Sequence, residues 1–174
     1  MRKLLSKIGF AMAVGAAAGL GALTMRGKGR PEGRWFRMLR KPRFQPPDRV
    51  FGPVWTVLYA TIAYSGWRVW SRPASRARTG ALGLWGAQLA LNAAWTPLFF
   101  GARRPGFALA DLVALDAAAT SYALTARKVD ARAAWAVVPY LAWLGFATVL
   151  NTTIFAKNRA PACRIRGASL VVPS

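Results

Sequence analysis

Residues 41–59 read KPRFQPPDRVFGPVWTVLY, and the rest of the chain is arranged around this stretch. It begins basic at Lys41 and Arg43, stiffens at Pro46-Pro47 and turns apolar and aromatic from Val50. Each proline fixes its own φ and disfavours helix at the residue before it, so Phe44 to Asp48 is predicted to be extended. Phe51-Gly52-Pro53 then opens a helix, because proline is tolerated in a first turn whose amides lack partners. Val54 to Trp70 is apolar apart from small hydroxyls and Arg68. With Phe51 included, the segment reaches the roughly 20 residues that cross a hydrocarbon layer of about 30 Å. A stiff, basic, aromatic loop therefore leads directly into a membrane-length helix, an arrangement suited to a lid over a pocket.

Outward from this stretch, the chain divides into apolar segments at Leu4 to Met25, Phe51 to Trp70, Thr79 to Phe100, Phe107 to Ala126 and Ala133 to Ala156. Each is near the length of a spanning helix. Apart from Arg26 to Val50 the connections are short, so consecutive helices are predicted to be antiparallel neighbours. The expected fold is all-α: one domain over residues 1–158, a five-helix transmembrane bundle whose ordered first loop acts as a lid. Residues 159–174 read as an irregular basic tail with no assigned role. The first segment also has the outline of a cleaved signal peptide, with Arg2, Lys3 and small residues at Ala16 and Ala18. Lys7 interrupts its start and the apolar run continues to Met25, which favours a retained helix.

Composition excludes several function classes. The chain is 174 residues, 55% hydrophobic, with eight tryptophans, mean hydropathy +0.25 and a formal net charge of +20. It is too apolar for a disordered chain, and its charges fall between long apolar runs. The basic residues sit at helix ends and in loops, where anionic lipid attracts them, and no nucleic-acid motif accompanies them. A single cysteine, Cys163, rules out an intrachain disulfide. The absence of histidine excludes Ser-His-Asp and Cys-His catalysis, H-E-x-x-H zinc sites and histidine ligation of haem. An odd number of spans puts ten of the 25 Lys and Arg residues on the N-terminal side and fifteen on the other. The positive-inside rule then predicts the N-terminus outside, with the long loop and the C-terminus cytoplasmic. Abundant Ala and Arg with few Lys suggests a GC-rich bacterial genome, hence a plasma membrane.

Three stretches carry a family resemblance: WFRMLRKPRFQPPDRVFGPVWTVLY (Trp35 to Tyr59), QLALNAAWTPLFF (Gln88 to Phe100) and PYLAWLGFATVLN (Pro139 to Asn151). Together they resemble the tryptophan-rich sensory protein family, also known as TspO/MBR or the peripheral benzodiazepine receptor family, over roughly residues 5–158. The resemblance implies a five-helix membrane protein that often dimerises. It also implies a pocket beneath the first loop open to porphyrins, sterols and benzodiazepine-type ligands. The activities proposed for the family are porphyrin or haem transport, stress sensing and light-dependent porphyrin breakdown. The chain departs from the family pattern at Arg49, where tryptophan is usual, and at Arg43, often aromatic. Leu150-Asn151 is followed by Thr152, Thr153 and Ile154 without the tyrosine of the sterol segment, so no sterol function is predicted.

On that resemblance the candidate ligand-binding residues are Trp35, Phe44, Pro46, Pro47, Phe51, Trp55, Tyr59, Gln88, Asn92, Trp95, Trp143, Ala147 and Leu150, with Arg43 and Arg49 for ligand propionates. Trp55 and Trp143 offer the broad faces on which a macrocycle stacks; ordinary packing is the alternative. Trp67, Trp70 and Trp135, near segment ends, read as interfacial anchors. Gln88, Asn92 and Trp95 fall on one helical face, and two amides are costly against lipid, so that face points inward. For Gln88 an interhelical hydrogen bond and a place in the pocket are equally supported. Gly83, Gly86, Ala87, Ala90 and Ala94 form a small-residue face on the third segment, the candidate surface for a homodimer. Gly15 and Gly19 read as packing within one chain. Asp111, near its helix start, reads as structural, paired with Arg103 or Arg104. Asp116 lies deeper and stays open between function, protonation and pairing. The two acids are about 140° apart on a helix, which disfavours a dyad.

The leading expectation is a membrane protein that binds a tetrapyrrole as sensor or transporter, with no obligatory cofactor and no metal ligand. Lipid, a planar hydrophobic ligand and a second copy are its expected partners, and nucleic acid is not. Light-dependent porphyrin breakdown through Trp55 and Trp143, or a ligand-regulated scaffold, are the alternatives.

Overall fold

The computed structural model describes residues 2–26 and 34–159, and among them every regular element is helical. In chain order these are α1 (Arg2–Arg26), α2 (Arg34–Met38), α3 (Asp48–Trp70), α4 (Arg76–Thr96), a π-helical turn (Pro97–Gly101), α5 (Pro105–Arg127), α6 (Ala131–Ala136) and α7 (Val138–Asn158). Every predicted apolar segment lies within these helices except the last, which is interrupted at Val137. The expectations for the irregular tail fall almost entirely on residues 160–174, outside the described residues. Helix α5 and the stretch Ala131–Asn158 are long and apolar enough to cross a membrane, with mean hydropathies of 1.4 and 1.7. Their outer faces carry exposed Leu124, Trp135 and Val149, apolar surface that water would penalise.

Three boundaries differ from the sequence reading, each for a local reason. Phe44 is not extended: Arg43 and Phe44 form a turn, closed by the Gln45 amide donating to the Pro42 carbonyl at 3.2 Å. Helix α3 starts at Asp48, three residues earlier than predicted, with Pro47 at its N-cap and the Val50 amide bonded to the Pro47 carbonyl at 2.9 Å. Asp48 in the first turn favours the early start, since an anion suits the positive end of the helix dipole. In the third segment, Pro97 lacks an amide proton and its ring crowds the preceding turn. The chain answers with a π turn, the Ala102 amide reaching the Pro97 carbonyl at 2.8 Å, and Arg103 then adopts a left-handed φ of 55° before α5. The last segment breaks at Val137, ahead of Pro139, so α6 and α7 are separate helices.

Helix α5 packs most extensively on α4 and next on α7, while α1 lies against α3 and α4. The buried stripe of α5, Ala108, Leu112, Leu115, Ala119, Tyr122 and Ala126, repeats at three- and four-residue intervals. Gly66 of α3 admits the Trp85 indole: a Cβ there would sit 2.6 Å from it, and the Trp85 Nε1 donates to the Ile62 carbonyl at 3.0 Å. Ser65, fully buried, donates to the Ala133 carbonyl at 2.7 Å. Its one proton is thereby used, so the Tyr122 hydroxyl 2.6 Å away is the donor to Ser65.

Polar ties close both ends of the assembly. At one end Asp130 caps α6 by accepting from the Arg132 amide at 3.0 Å, and its Oδ2 also receives Arg68 of α3 and Arg72 two residues past the end of α3. At the other end the Asn158 side chain exchanges two hydrogen bonds with the backbone of Arg40, at 2.9 and 3.1 Å, fastening the first loop to the end of α7. Asp116 is half-buried, and its Oδ2 accepts from the Thr148 hydroxyl of α7. Asp111 Oδ2 is buried and has no hydrogen-bond partner among the described residues, and Arg104 lies over the Phe107 ring.

Candidate ligand pocket

Beneath the first loop, α3, α4, the π turn, α5 and α7, with Ala18 of α1 and Phe36 of α2, line a cavity of about 370 Å³. Helix α3 contributes Phe51, Trp55 and Tyr59, which recur at four-residue spacing and therefore share a face. Asn92 and Trp95 come from α4, and Trp143, Ala147 and Leu150 from α7. All eight of these candidates thus meet at one cavity. The Trp55 ring lies 5.2 Å from Tyr59 at an interplanar angle of 33°, and Trp143 stands edge-on to Phe51 at 5.7 Å.

A polar row runs from the wall into the protein. Tyr59 Oη donates to Asn92 Oδ1 at 3.0 Å, Asn92 Nδ2 donates to Tyr140 Oη at 3.2 Å, and Tyr140 Oη donates to Gln88 Oε1 at 2.9 Å. Gln88 is 1% exposed and lies behind the lining, so its amide serves an interhelical hydrogen bond, one of the two roles the sequence left open. Tyr140 is the link that sequence reasoning missed. A tyrosine at the start of an apolar helix carries a hydroxyl that needs partners when buried, and two amides one turn apart on α4 supply them.

The other candidates stand around the cavity. Trp35 backs the wall edge-on to Phe99 at 5.8 Å, and Phe44 is half-exposed against Phe146 at 6.4 Å. Pro46 and Pro47 shape the turn into α3. Arg43 and Arg49 are exposed on the loop and the first turn of α3, outside the lining. Asp48 alone among the described lining residues is charged. Trp70 and Trp135 are exposed, as expected of anchors, and Lys7 lies over the Trp67 ring at 4.5 Å.

Several lining residues were not foreseen. The π turn brings Phe99 and Phe100 inward, and Phe99 stacks on Trp95 at 5.0 Å with an angle of 16°. Pro97 inside an apolar run was the available signal. Leu112 and Leu115 enter from the buried stripe of α5, which its periodicity marks. Gln45 and Asn151 complete the loop-side end. The arrangement is an apolar, aromatic slot with amide groups at both ends, suited to holding a flat molecule.

Comparison with known proteins agrees with this architecture. The family model described as TspO/MBR family matches residues 8–156. The human Translocator protein is 39% identical over 153 residues, covering 87% of this chain and 89% of its own. The Tryptophan-rich sensory protein of Cereibacter sphaeroides is 40% identical over 144 residues, covering 82% and 84%. The Tryptophan-rich protein TspO of Archaeoglobus fulgidus is 36% identical over 129 residues, covering 71% and 80%. A match over nearly the whole chain, with apolar outward faces and an aromatic cavity under the first loop, makes this chain a member of the TspO/MBR family of membrane proteins.

Proposed function

We propose that the chain spans the membrane with five helices and binds a planar tetrapyrrole, such as protoporphyrin, in the cavity beneath the first loop, as a sensor or carrier. The observation that carries this reading is the wall: indoles from α3, α4 and α7 line one cavity together with Phe51, Phe99 and Phe100. Each aromatic pair with a flat ligand adds about 0.5–1.5 kcal/mol beyond the area buried. A volume of about 370 Å³ lies near the lower end of the roughly 300–1,000 Å³ of small-molecule pockets. A macrocycle therefore fills it, and its edge reaches the mouth. There the exposed Arg43 and Arg49 take the propionates by charge-assisted hydrogen bonds, while Asp48 disfavours an anion further in. With no histidine in the chain, binding depends little on the central metal.

Protoporphyrin and haem are titrated into the purified protein, the Trp55→Phe/Trp143→Phe variant and the Arg43→Gln/Arg49→Gln variant. Saturable binding weakened in both variants, with protoporphyrin and haem within a few-fold of each other, is the expected result. Binding that never saturates, or a strong preference for haem, refutes the reading.

The same reading puts the N-terminus outside and the first loop in the cytoplasm of a bacterial cell, and it includes a homodimer through α4. Supporting the dimer, Gly83, Gly86, Ala87 and Ala90 are exposed along one helix, and a Cβ at Gly83 or Gly86 meets nothing within 4 Å.

A further inference from the structure

A second hollow lies apart from the ligand cavity and shares no lining residue with it. It is a groove of about 270 Å³ formed by Ser6, Gly9, Phe10 and Ala13 of α1, Trp70 of α3 and Trp85 of α4. The four α1 residues recur at three- and four-residue spacing and so share a face. The walls are apolar. Trp85 commits its Nε1 to the Ile62 carbonyl at 3.0 Å, so that indole has no free donor for an occupant. Gly9 keeps the groove open, since a Cβ there meets nothing within 4 Å.

One end of the groove is cationic. Arg78, Ala81 and Trp85 stand at i, i+3 and i+7 of α4 and share a face, with Arg78 about 10 Å nearer the helix start than Trp85. The Arg78 guanidinium lies over the Trp70 ring at 4.7 Å, and its Nε is buried with no hydrogen-bond partner. Lys7, beside Ser6 and one turn before Phe10, lies over the Trp67 ring at 4.5 Å. Neither cation pairs with a carboxylate among the described residues: Asp130, the acid at this end of the bundle, is held by Arg68 and Arg72. Here α1 begins, α3 ends and α4 begins, the level at which a spanning chain meets lipid headgroups.

The chemistry of the occupant follows. A soluble anion would meet Arg78 and leave the apolar walls in water. A neutral lipid would cover the walls and leave the cations unanswered, and a zwitterionic one would bring its own ammonium beside them. We propose that the groove between α1, α3 and α4 is a site for one anionic phospholipid, its phosphate on Arg78 with Lys7 nearby and one acyl chain along Phe10, Trp70 and Trp85. This goes beyond the tetrapyrrole reading: it rests on the chain spanning the membrane and not on what the cavity holds.

The test titrates the full chain in detergent with dioleoyl phosphatidylglycerol or dioleoyl phosphatidylcholine and counts bound lipid by native mass spectrometry. One phosphatidylglycerol per chain should bind about tenfold tighter than phosphatidylcholine, the worth of a charge-assisted hydrogen bond. In Arg78→Gln that ratio should fall to near one, and Arg78→Lys should keep part of it. Arg76→Gln, which removes an exposed cation two residues earlier, should leave the ratio unchanged. Gly9→Leu fills the groove from an exposed helical position, so it should weaken both lipids several-fold, and it serves if Arg78→Gln does not fold. Equal affinity of the two lipids for the wild type, or a preference that survives Arg78→Gln, overturns the site. Lipid binding unchanged in Gly9→Leu overturns it as well, and so does inorganic phosphate that binds both proteins alike and displaces the lipid. A lipid preference that behaves as expected while protoporphyrin fails to bind overturns the cavity reading alone.

Discussion

Replacing Asp130 by alanine is expected to lower the thermal midpoint by about 6–12 °C, from a loss of about 3 kcal/mol at about 2–4 °C per kcal/mol for a chain of this size. The figure is built from what the carboxylate holds. Its side chain is 3% exposed and ties the end of α3 to the start of α6. Arg68, 18% exposed, contributes Nε at 2.9 Å and Nη2 at 2.7 Å, a charged hydrogen bond worth about 1.5–3 kcal/mol. Arg72 is 45% exposed, so solvent screening limits its 2.6 Å contact to about 1 kcal/mol or less. The cap on the Arg132 amide adds about 1 kcal/mol. These contributions share one carboxylate, so they sum to less than their separate values. Asparagine keeps the cap and loses the charge, so Asp130→Asn should fall about 1 kcal/mol short of the alanine loss.

The assay is thermal unfolding in detergent followed by tryptophan fluorescence, across a pH series. Burial pushes the Asp130 carboxyl up, but hydrogen bonds from Arg72, Arg68 and the Arg132 amide outweigh it and hold it below its ordinary value. A carboxyl depressed in the folded state adds stability above its unfolded pKa of about 3.9, and this is lost as pH falls through the folded value. The gap between wild type and Asp130→Asn should therefore be constant near neutrality and close below about pH 4. An alanine variant that melts within about 2 °C of wild type, less than 1 kcal/mol on the same scale, refutes the clasp. A gap that persists unchanged into acid refutes its electrostatic origin.

Other outcomes follow from the packing. Gly66→Ala should cost about 1–3 kcal/mol by overpacking, because its Cβ would lie 2.6 Å from the Trp85 ring, whereas Gly83→Ala should be neutral or stabilising. Unfolding midpoints of the pair decide it, and equal midpoints would refute the tight contact. For the proposed homodimer through α4, Gly83→Leu/Gly86→Leu should halve the mass in light scattering without reducing porphyrin affinity; an unchanged mass excludes α4 as the interface. In a Cys163→Ser background, cysteines at Ala74 and Lys128 should react with an impermeant thiol reagent in intact cells, and those at Arg43 and Ala102 only after permeabilisation. The reverse pattern inverts the topology.

Much of the fold was legible because lipid-length apolar runs leave little choice of element, and the loop was marked by its prolines. Helix positions were less legible where one residue shifts the hydrogen-bond pattern. Pro97 is one atom group short of a normal helical residue, and only the structure tells that the chain widens into a π turn rather than kinking. That turn decides part of the site, since it presents Phe99 and Phe100 to Trp95. Asn92 and Gln88 could be placed on an inward face from their cost in lipid, but not told apart. Their separate roles depend on Tyr140, a residue 48 positions from Asn92 and 52 from Gln88. Asp130 was similarly opaque: its partners Arg68 and Arg72 lie 62 and 58 residues away, and no local pattern links them.

Asn151 marks the boundary of what sequence can say about specificity. In the sequence it is one amide in an apolar helix, and lipid cost alone predicts that it turns inward. Turning inward normally means finding a partner on a neighbouring helix, as Asn92 does with Tyr59 and Tyr140. Asn151 turns inward and finds none among the described residues, with Leu150 and Ile154 around it in an apolar cluster. The difference between the two asparagines is set by what stands opposite each, Tyr59 for one and the cavity for the other. The ligand's flat body is therefore to be sought against Trp55 and Trp143, which line the same cavity.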